Sequence, residues 1–196
     1  MEIKAIVISS PNYKYLLRGF YHLWHKYCDI PISKEIITSE PRDNWCKDVL
    51  EGIKDLDCTD ILVALEDYYL QKPYDKEQFA YLINQKYDKI DLQGQVNYFE
   101  HYGEGGHVVA SNSACYRRSL QMSIWKKEYL IQCLKDATNP WSFELTPKSN
   151  DNKKIIGLAH NTFFYSNIML KGSMMNYELD HLNKEDRIVI NDLLKK

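Results

Sequence analysis

Two adjacent acids occupy positions 66 and 67 in the run Leu65-Glu66-Asp67-Tyr68-Tyr69, with apolar or aromatic neighbours on both sides. Neither belongs to a solvated charge run. Carboxylates placed this way can hold a divalent cation and, through it, a diphosphate, because Mg²⁺ and Mn²⁺ take oxygen ligands and share them with phosphates. The structural alternative is Asp67 as a helix N-cap beside a surface Glu66. A second candidate group is Gln121, Trp125, Trp141, Ser142, Phe143 and Glu144. A glutamate near a rigid aromatic can orient or deprotonate an acceptor hydroxyl as a general base. Its alternative is a short helix capped by Asn139 and plugged by Trp141. Other chemistries find less support. His22 and His25 share a helical spacing but have no third ligand nearby, and read as a solvated face. The stretch Gly103-Glu104-Gly105-Gly106 lacks the Lys-Ser/Thr end of a phosphate-binding loop, and there is no G-x-S-x-G nucleophile elbow.

The elements that must position these residues alternate cleanly over the first ninety residues. Residues 3–8 form a short β-branched run broken by Ser9-Ser10-Pro11-Asn12. Leu16, Leu17, Phe20, Leu23, Trp24 and Tyr27 then recur at helical spacing over 13–27. A strand over 34–38, a helix over 45–53 and a nearly all-apolar strand over 60–65 follow, the last running directly into Glu66-Asp67. A helix over 75–87 and a strand over 89–92 complete a β-α-β-α-β-α-β order, which predicts a mostly parallel sheet with right-handed crossovers. Open α/β sheets bind ligands beyond the carboxyl ends of their strands. Ser9 and Ser10, Thr38, and Glu66-Asp67 all fall at such ends. The second half is less regular. It predicts a turn at 103–106, a strand-like stretch over 113–125, a helix over 126–134, strands over 155–158 and 162–170, and a final helix from Asn183.

Composition narrows the function further. A chain of 196 residues with 44% hydrophobic and 27% charged residues predicts one globular domain. Net charge is −2 and the pI is near 6.3, which leaves no electrostatic footprint for nucleic acid. Fifteen tyrosines suit partly wet grooves of the sort that bind sugars, and equally suit half-buried strands. Five cysteines without a C-x-x-C pair predict a reducing compartment rather than a disulfide framework. No signal-peptide pattern or membrane-spanning apolar run is present, so the expectation is a cytoplasmic protein whose membrane contact would be peripheral.

The segments "AIVISSPNYKYLLRGFYHLW", "DILVALEDYYL", "YRRSLQMSIWKKEYLIQCLKDATNPWSFE" and "YSNIMLKG" resemble small bacterial and viral GT-A-type glycosyltransferase-like proteins. The resemblance covers most of residues 3–172, and its stronger blocks are the strand ending in Leu-Glu-Asp and the S-L-Q-x-x-x-W…P-W-x-x-E segment. It implies an α/β, Rossmann-like GT-A fold: a mostly parallel central sheet, helices on both faces, and a smaller, more antiparallel C-terminal part. Residues 1–92 would form the nucleotide-sugar half and 93–196 the acceptor half of one domain. Glu66-Asp67 would stand where the family has its Asp-x-Asp metal and diphosphate motif, binding Mn²⁺ or Mg²⁺. Ser9, Ser10 and Thr38 would face the nucleotide, and Gln121 and Trp125 would line the sugar site. Trp141 and Glu144 would contact the acceptor, with Glu144 as base. The implied partners are a nucleotide-sugar donor and a glycan or glycolipid acceptor. Rival expectations are a nucleotidyltransferase on a similar sheet and a degenerate, non-catalytic glycan- or partner-binding module.

Overall fold

The computed structural model describes residues 2–40, 42–94, 99–102, 106–114, 116–145 and 152–195. The turn expected at 103–106 lies outside them except for Gly106.

Strands form where the β-branched runs are: β1 at Ile3–Ser9, β2 at Ile32–Ile37 and β3 at Asp60–Leu65. They pair in parallel about β1, with Ser9 beside Ile37 and Ile8 beside Leu65, so their carboxyl ends line up at one edge. Between β1 and β2 lies α1 (Leu17–Tyr27), which buries Leu17, Phe20, Leu23 and Trp24. Its end is fixed by Trp24, whose indole Nε1 donates to the Ile30 carbonyl at 2.7 Å. Next come α2 (Trp45–Ile53), the short β4 (Tyr68–Leu70), α3 (Lys76–Ile83) and β5 (Lys89–Asp91).

Beyond β5 the chain forms β6 (Phe99–Tyr102), β7 (Val108–Ala110), β8 (Ser123–Lys126), α4 (Lys127–Lys135), α5 (Pro140–Leu145) and β9 (Ile155–Gly157). It closes with β10 (Tyr165–Asn167), β11 (Met169–Leu170), β12 (Ser173–Met174) and α6 (Lys184–Leu194). The central sheet has eight strands among the described residues, in the order β2-β1-β3-β8-β5-β9-β7-β6. Only β8 and β7 run against the common direction. The sheet is therefore mostly parallel, with the antiparallel part drawn from the second half of the chain.

The order of strands in the sheet is not their order along the chain. β5 does not follow β3 in the sheet, because β8 is inserted between them and pairs antiparallel with both. Among the described residues, the strand-like stretch over 113–125 enters the sheet only at its end, as β8. The expected strand over 162–170 leaves the main sheet altogether: β10 pairs antiparallel with β4 as a separate ribbon.

Alternation along the strands sends side chains to two cores. Ala5, Val7, Leu62, Ala64, Ile90 and Ile124 meet α1, α3 and α6 on one face. Ile6, Ile8, Ile61, Val63 and Trp125 meet α2, α4 and α5 on the other. Helices thus cover both faces.

Candidate active site

Glu66 is 6% exposed, and its backbone N–H donates to the Ile8 carbonyl at 3.2 Å. The Ser10 backbone N–H donates to Glu66 Oε1 at 3.2 Å. Thr38 closes the row: its N–H donates to the Ser9 carbonyl at 2.9 Å, and its hydroxyl reaches the same oxygen at 3.4 Å. Ser9, Ser10, Thr38, Glu66 and Asp67 are therefore brought together at the carboxyl ends of β1, β2 and β3. Asp67 lies in the turn between β3 and β4, not at a helix start, which removes the N-cap alternative. Its carbonyl accepts from Ile168 N–H at 3.1 Å, so the β10–β11 turn clamps its backbone.

What this edge lacks is as informative as what it holds. Asp67 Oδ1 and Ser10 Oγ are shielded from solvent and have no hydrogen-bond partner among the described residues. Burial pushes the Glu66 carboxyl up to about 7, against the pull of the Ser10 N–H. Burial, with the neighbouring Glu66 charge, pushes Asp67 up to about 8. Two desolvated acids, one with an unsatisfied oxygen, form a site short of positive charge. The donor set fits Mg²⁺ or Mn²⁺, which bind through one or two carboxylates and complete their shell with substrate phosphates and water. Among the described residues no group of three or more His, Cys, Asp or Glu could hold a metal on its own.

Glu144 approaches from α5. Its Oε1 accepts from Leu120 N–H at 2.6 Å, and the Leu120 carbonyl accepts from the Tyr68 hydroxyl at 3.0 Å. Asp67, Glu144 and Glu66 are all near enough for their charges to hold the Tyr68 phenol up, after burial as the main cause. Burial also raises Glu144, opposed by the Leu120 N–H and the Lys89 charge. Asn139 does cap α5, its Oδ1 accepting from Ser142 N–H at 2.9 Å. The plug of α5, however, is Phe143, fully buried, while Trp141 is 52% exposed with the Arg42 guanidinium 5.1 Å from its ring centroid.

Trp125 requires correction. It is wholly buried, its Nε1 donates to Ser123 Oγ at 2.9 Å, and it packs on Tyr129 and Phe143. With no surface to offer a sugar, it is a core residue. Tyr68 and Tyr69 are likewise interior. Gln121 stands at the edge, half-buried, with Oε1 accepting from the Tyr165 hydroxyl at 2.6 Å. Sequence reasoning missed Tyr165, because only the pairing of β10 with β4 carries it there. It also missed the buried ion pair of Lys89 and Asp91, 2.6 Å apart. The polar ends of a three-residue strand were the only available signal.

A groove of about 850 Å³ opens at the opposite edge of the sheet, lined by Lys54, Asp88, Lys126, Lys127 and Lys153 among others. Three of its lysines are tied down: Lys126 to Asp60, Lys153 to Asp88, and Lys127 to the Lys54 carbonyl. Glu66 and Asp67 do not line it.

No family model matches the sequence, and no curated protein matches it. Solved structures do match in fold. S. aureus TarS 1-349 in complex with UDP-GlcNAc aligns with a TM-score of 0.54 at 13% identity, over 99% of this chain and 70% of that one. The chain has a GT-A-like fold. A cytidylyltransferase from Leptospira borgpetersenii aligns with a TM-score of 0.53 at 9% identity, over 100% of this chain and 94% of that one. In two further TarS structures, with TM-scores of 0.51 and 0.50, the GT-A-like chain spans only 60% and 36% of the solved chain. No helix among the described residues is long and apolar enough to cross a membrane.

Proposed function

We propose that the protein transfers a sugar from a nucleotide diphosphate-sugar donor to a hydroxyl of a glycan or glycolipid acceptor. The observation that carries this reading is the buried, unpartnered Oδ1 of Asp67 beside Glu66, at the carboxyl edge of the sheet. Such an oxygen calls for a cation, and a cation there would supply charge to stabilise a leaving diphosphate. Ser9, Ser10 and Thr38 supply hydroxyls and a pinned backbone for the nucleotide. Glu144 is the base: it takes the proton of the acceptor hydroxyl as that oxygen bonds to the anomeric carbon and the carbon–phosphate oxygen bond breaks. Burial favours the role, since a carboxylate raised toward neutral pH is a stronger base. The TarS likeness supports the donor class, because that protein was solved with UDP-GlcNAc.

One observation favours nucleotidyl transfer instead: the cytidylyltransferase likeness runs end to end over both chains. The two reactions leave different products. Incubation with a panel of nucleotide sugars, nucleoside triphosphates and Mn²⁺ should release nucleoside diphosphate when sugar is transferred. Release of pyrophosphate from a triphosphate would establish nucleotidyl transfer. A chain that binds saccharide but neither nucleotide would be a binding module.

A further inference from the structure

The groove at the opposite edge of the sheet is walled by two helices. α2 contributes Leu50 and, just past its end, Lys54, while α4 contributes Lys127, Ile131 and Lys135. The three α4 residues recur at i, i+4 and i+8, so they share one helix face, with the two lysines about 12 Å apart along the axis. Charge in the groove is not balanced. Glu51 pairs with Lys54 and Asp88 with Lys153, and the buried Asp60 takes Lys126. Lys127 is held by the Lys54 and Leu56 carbonyls, which fix its ammonium without cancelling its charge. Lys135 has no partner among the described residues. Two ammonium groups, opposed in the lining by Glu128, thus bracket the half-buried Ile131.

The complement of that stripe lies on the chain itself. α6 buries Asp186 and Ile190, and Glu185, Ile188, Val189 and Asp192 are exposed. Ile188 is 56% exposed and Val189 38%. At i, i+3, i+4 and i+7 these four share one face: an acid, two apolar side chains, an acid, with the acids about 10 Å apart. Glu185 has no partner among the described residues, and Asp192 meets Lys195 in an exposed pair at 3.3 Å. A lone exposed apolar side chain is ordinary. An apolar pair bracketed by acids is the match, in order and spacing, of an isoleucine bracketed by lysines, as in a helix that seats in a groove. Ile190 of α6 belongs to the core on one face of the sheet and Tyr129 of the groove to the core on the other, so a chain cannot seat its own helix. We propose that α6 of one copy docks into the α2–α4 groove of a second copy, its acids against Lys127 and Lys135 and its apolar pair against Ile131. The contact is head-to-tail. A single helix seat is smaller than the roughly 1,200 Å² of a standard interface, so the association is weak and depends on concentration.

Sedimentation equilibrium of the native chain, from micromolar to submillimolar concentration, is the test. It should show self-association that weakens about tenfold from low to high salt, as screening removes the ion pairs. Ile188→Glu, on α6, and Lys135→Glu, in the groove, should each abolish it. Both positions are exposed, so the fold is retained, and Val189→Glu supplies a second α6 variant. In a head-to-tail contact each variant keeps the half that the other has lost. An equimolar mixture of Ile188→Glu and Lys135→Glu should therefore regain a one-to-one dimer and grow no further. A native chain that stays monomeric throughout overturns the proposal, as does association that either variant leaves intact. Two monomeric variants that do not pair on mixing overturn it as well, since a symmetric contact would then account for the native behaviour.

Discussion

The Ser10 backbone N–H and the Glu66 Oε1 atom lie 3.2 Å apart, joining the loop after β1 to the acid after β3 across 56 residues of sequence. That bond turns the Glu66 carboxylate toward the β1 loop. Asp67, the next residue, keeps an oxygen with no partner among the described residues. One acid is structurally tethered and the other is available, a division of labour that an adjacent pair in sequence does not disclose.

The first prediction concerns pH. Glu66 and Asp67 titrate in the folded chain near 7 and 8, above their ordinary values, so the folded state holds protons that the unfolded state has lost. Their contribution to stability is complete below about pH 4 and is lost as pH rises through 7 to 8. Each pH unit between folded and unfolded titration is worth ~1.4 kcal/mol at most, reduced at Asp67 because that residue is partly open to solvent. Thermal melts without ligand should show a falling Tm between pH 5 and 8.5, and Asp67→Asn should flatten the fall. A native Tm that is level over that range would contradict the buried-acid reading.

Glu144→Gln should preserve the fold, because a glutamine side-chain oxygen can still accept from Leu120 N–H. Turnover should drop by about 10²–10⁴-fold with donor affinity unchanged. Single-turnover kinetics beside a donor titration would separate the two, and normal turnover would remove Glu144 as base.

The two tryptophans should behave oppositely. Trp125→Ala opens a cavity among Tyr129 and Phe143 and should cost about 3–5 kcal/mol in denaturant unfolding. Trp141→Ala removes an exposed ring and should change stability by no more than about 0.5 kcal/mol, while raising the acceptor KM. A large stability loss at Trp141 would place it in the core.

A fourth prediction lies away from the cleft. Asp186, 1% exposed at the start of α6, accepts from Lys26 at 2.6 Å and also bonds Tyr27 and Asn183. Burial pulls its carboxyl up, but Lys26 and Tyr27 together hold it below its ordinary value. That contribution is present at neutral pH and lost on acidification. Asp186→Ala should cost about 2–3 kcal/mol and loosen α6 from α1, less than a fully buried pair because Lys26 is partly exposed. Hydrogen exchange on α6 would report it, and unchanged protection would refute it.

Much of this protein is legible in its sequence because the signals are local. Short runs rich in β-branched residues produce β1 to β3, the helical spacing of Leu16 to Tyr27 produces α1, and the end of an apolar strand puts Glu66-Asp67 at the carboxyl edge. The same local rules place Asn139 and Asn183 at helix starts, where both side chains accept a backbone N–H.

What tertiary structure alone decided depends on contacts between distant segments. Period-2 patterning does not say which strand lies beside which, so the insertion of β8 between β3 and β5 could not be read from it. Nor does a tryptophan announce whether its ring meets solvent: Trp125 lies on a sheet face covered by α4 and α5, Trp141 on the open side of a short helix. The same holds for Tyr165. Its hydroxyl finds Gln121 only because the β4–β10 ribbon folds back over the end of the sheet, a pairing separated by nearly a hundred residues and set by the burial of Tyr68 and Tyr165 against each other. Sequence determined which polar groups were available; packing determined which of them meet at the carboxyl edge of the sheet.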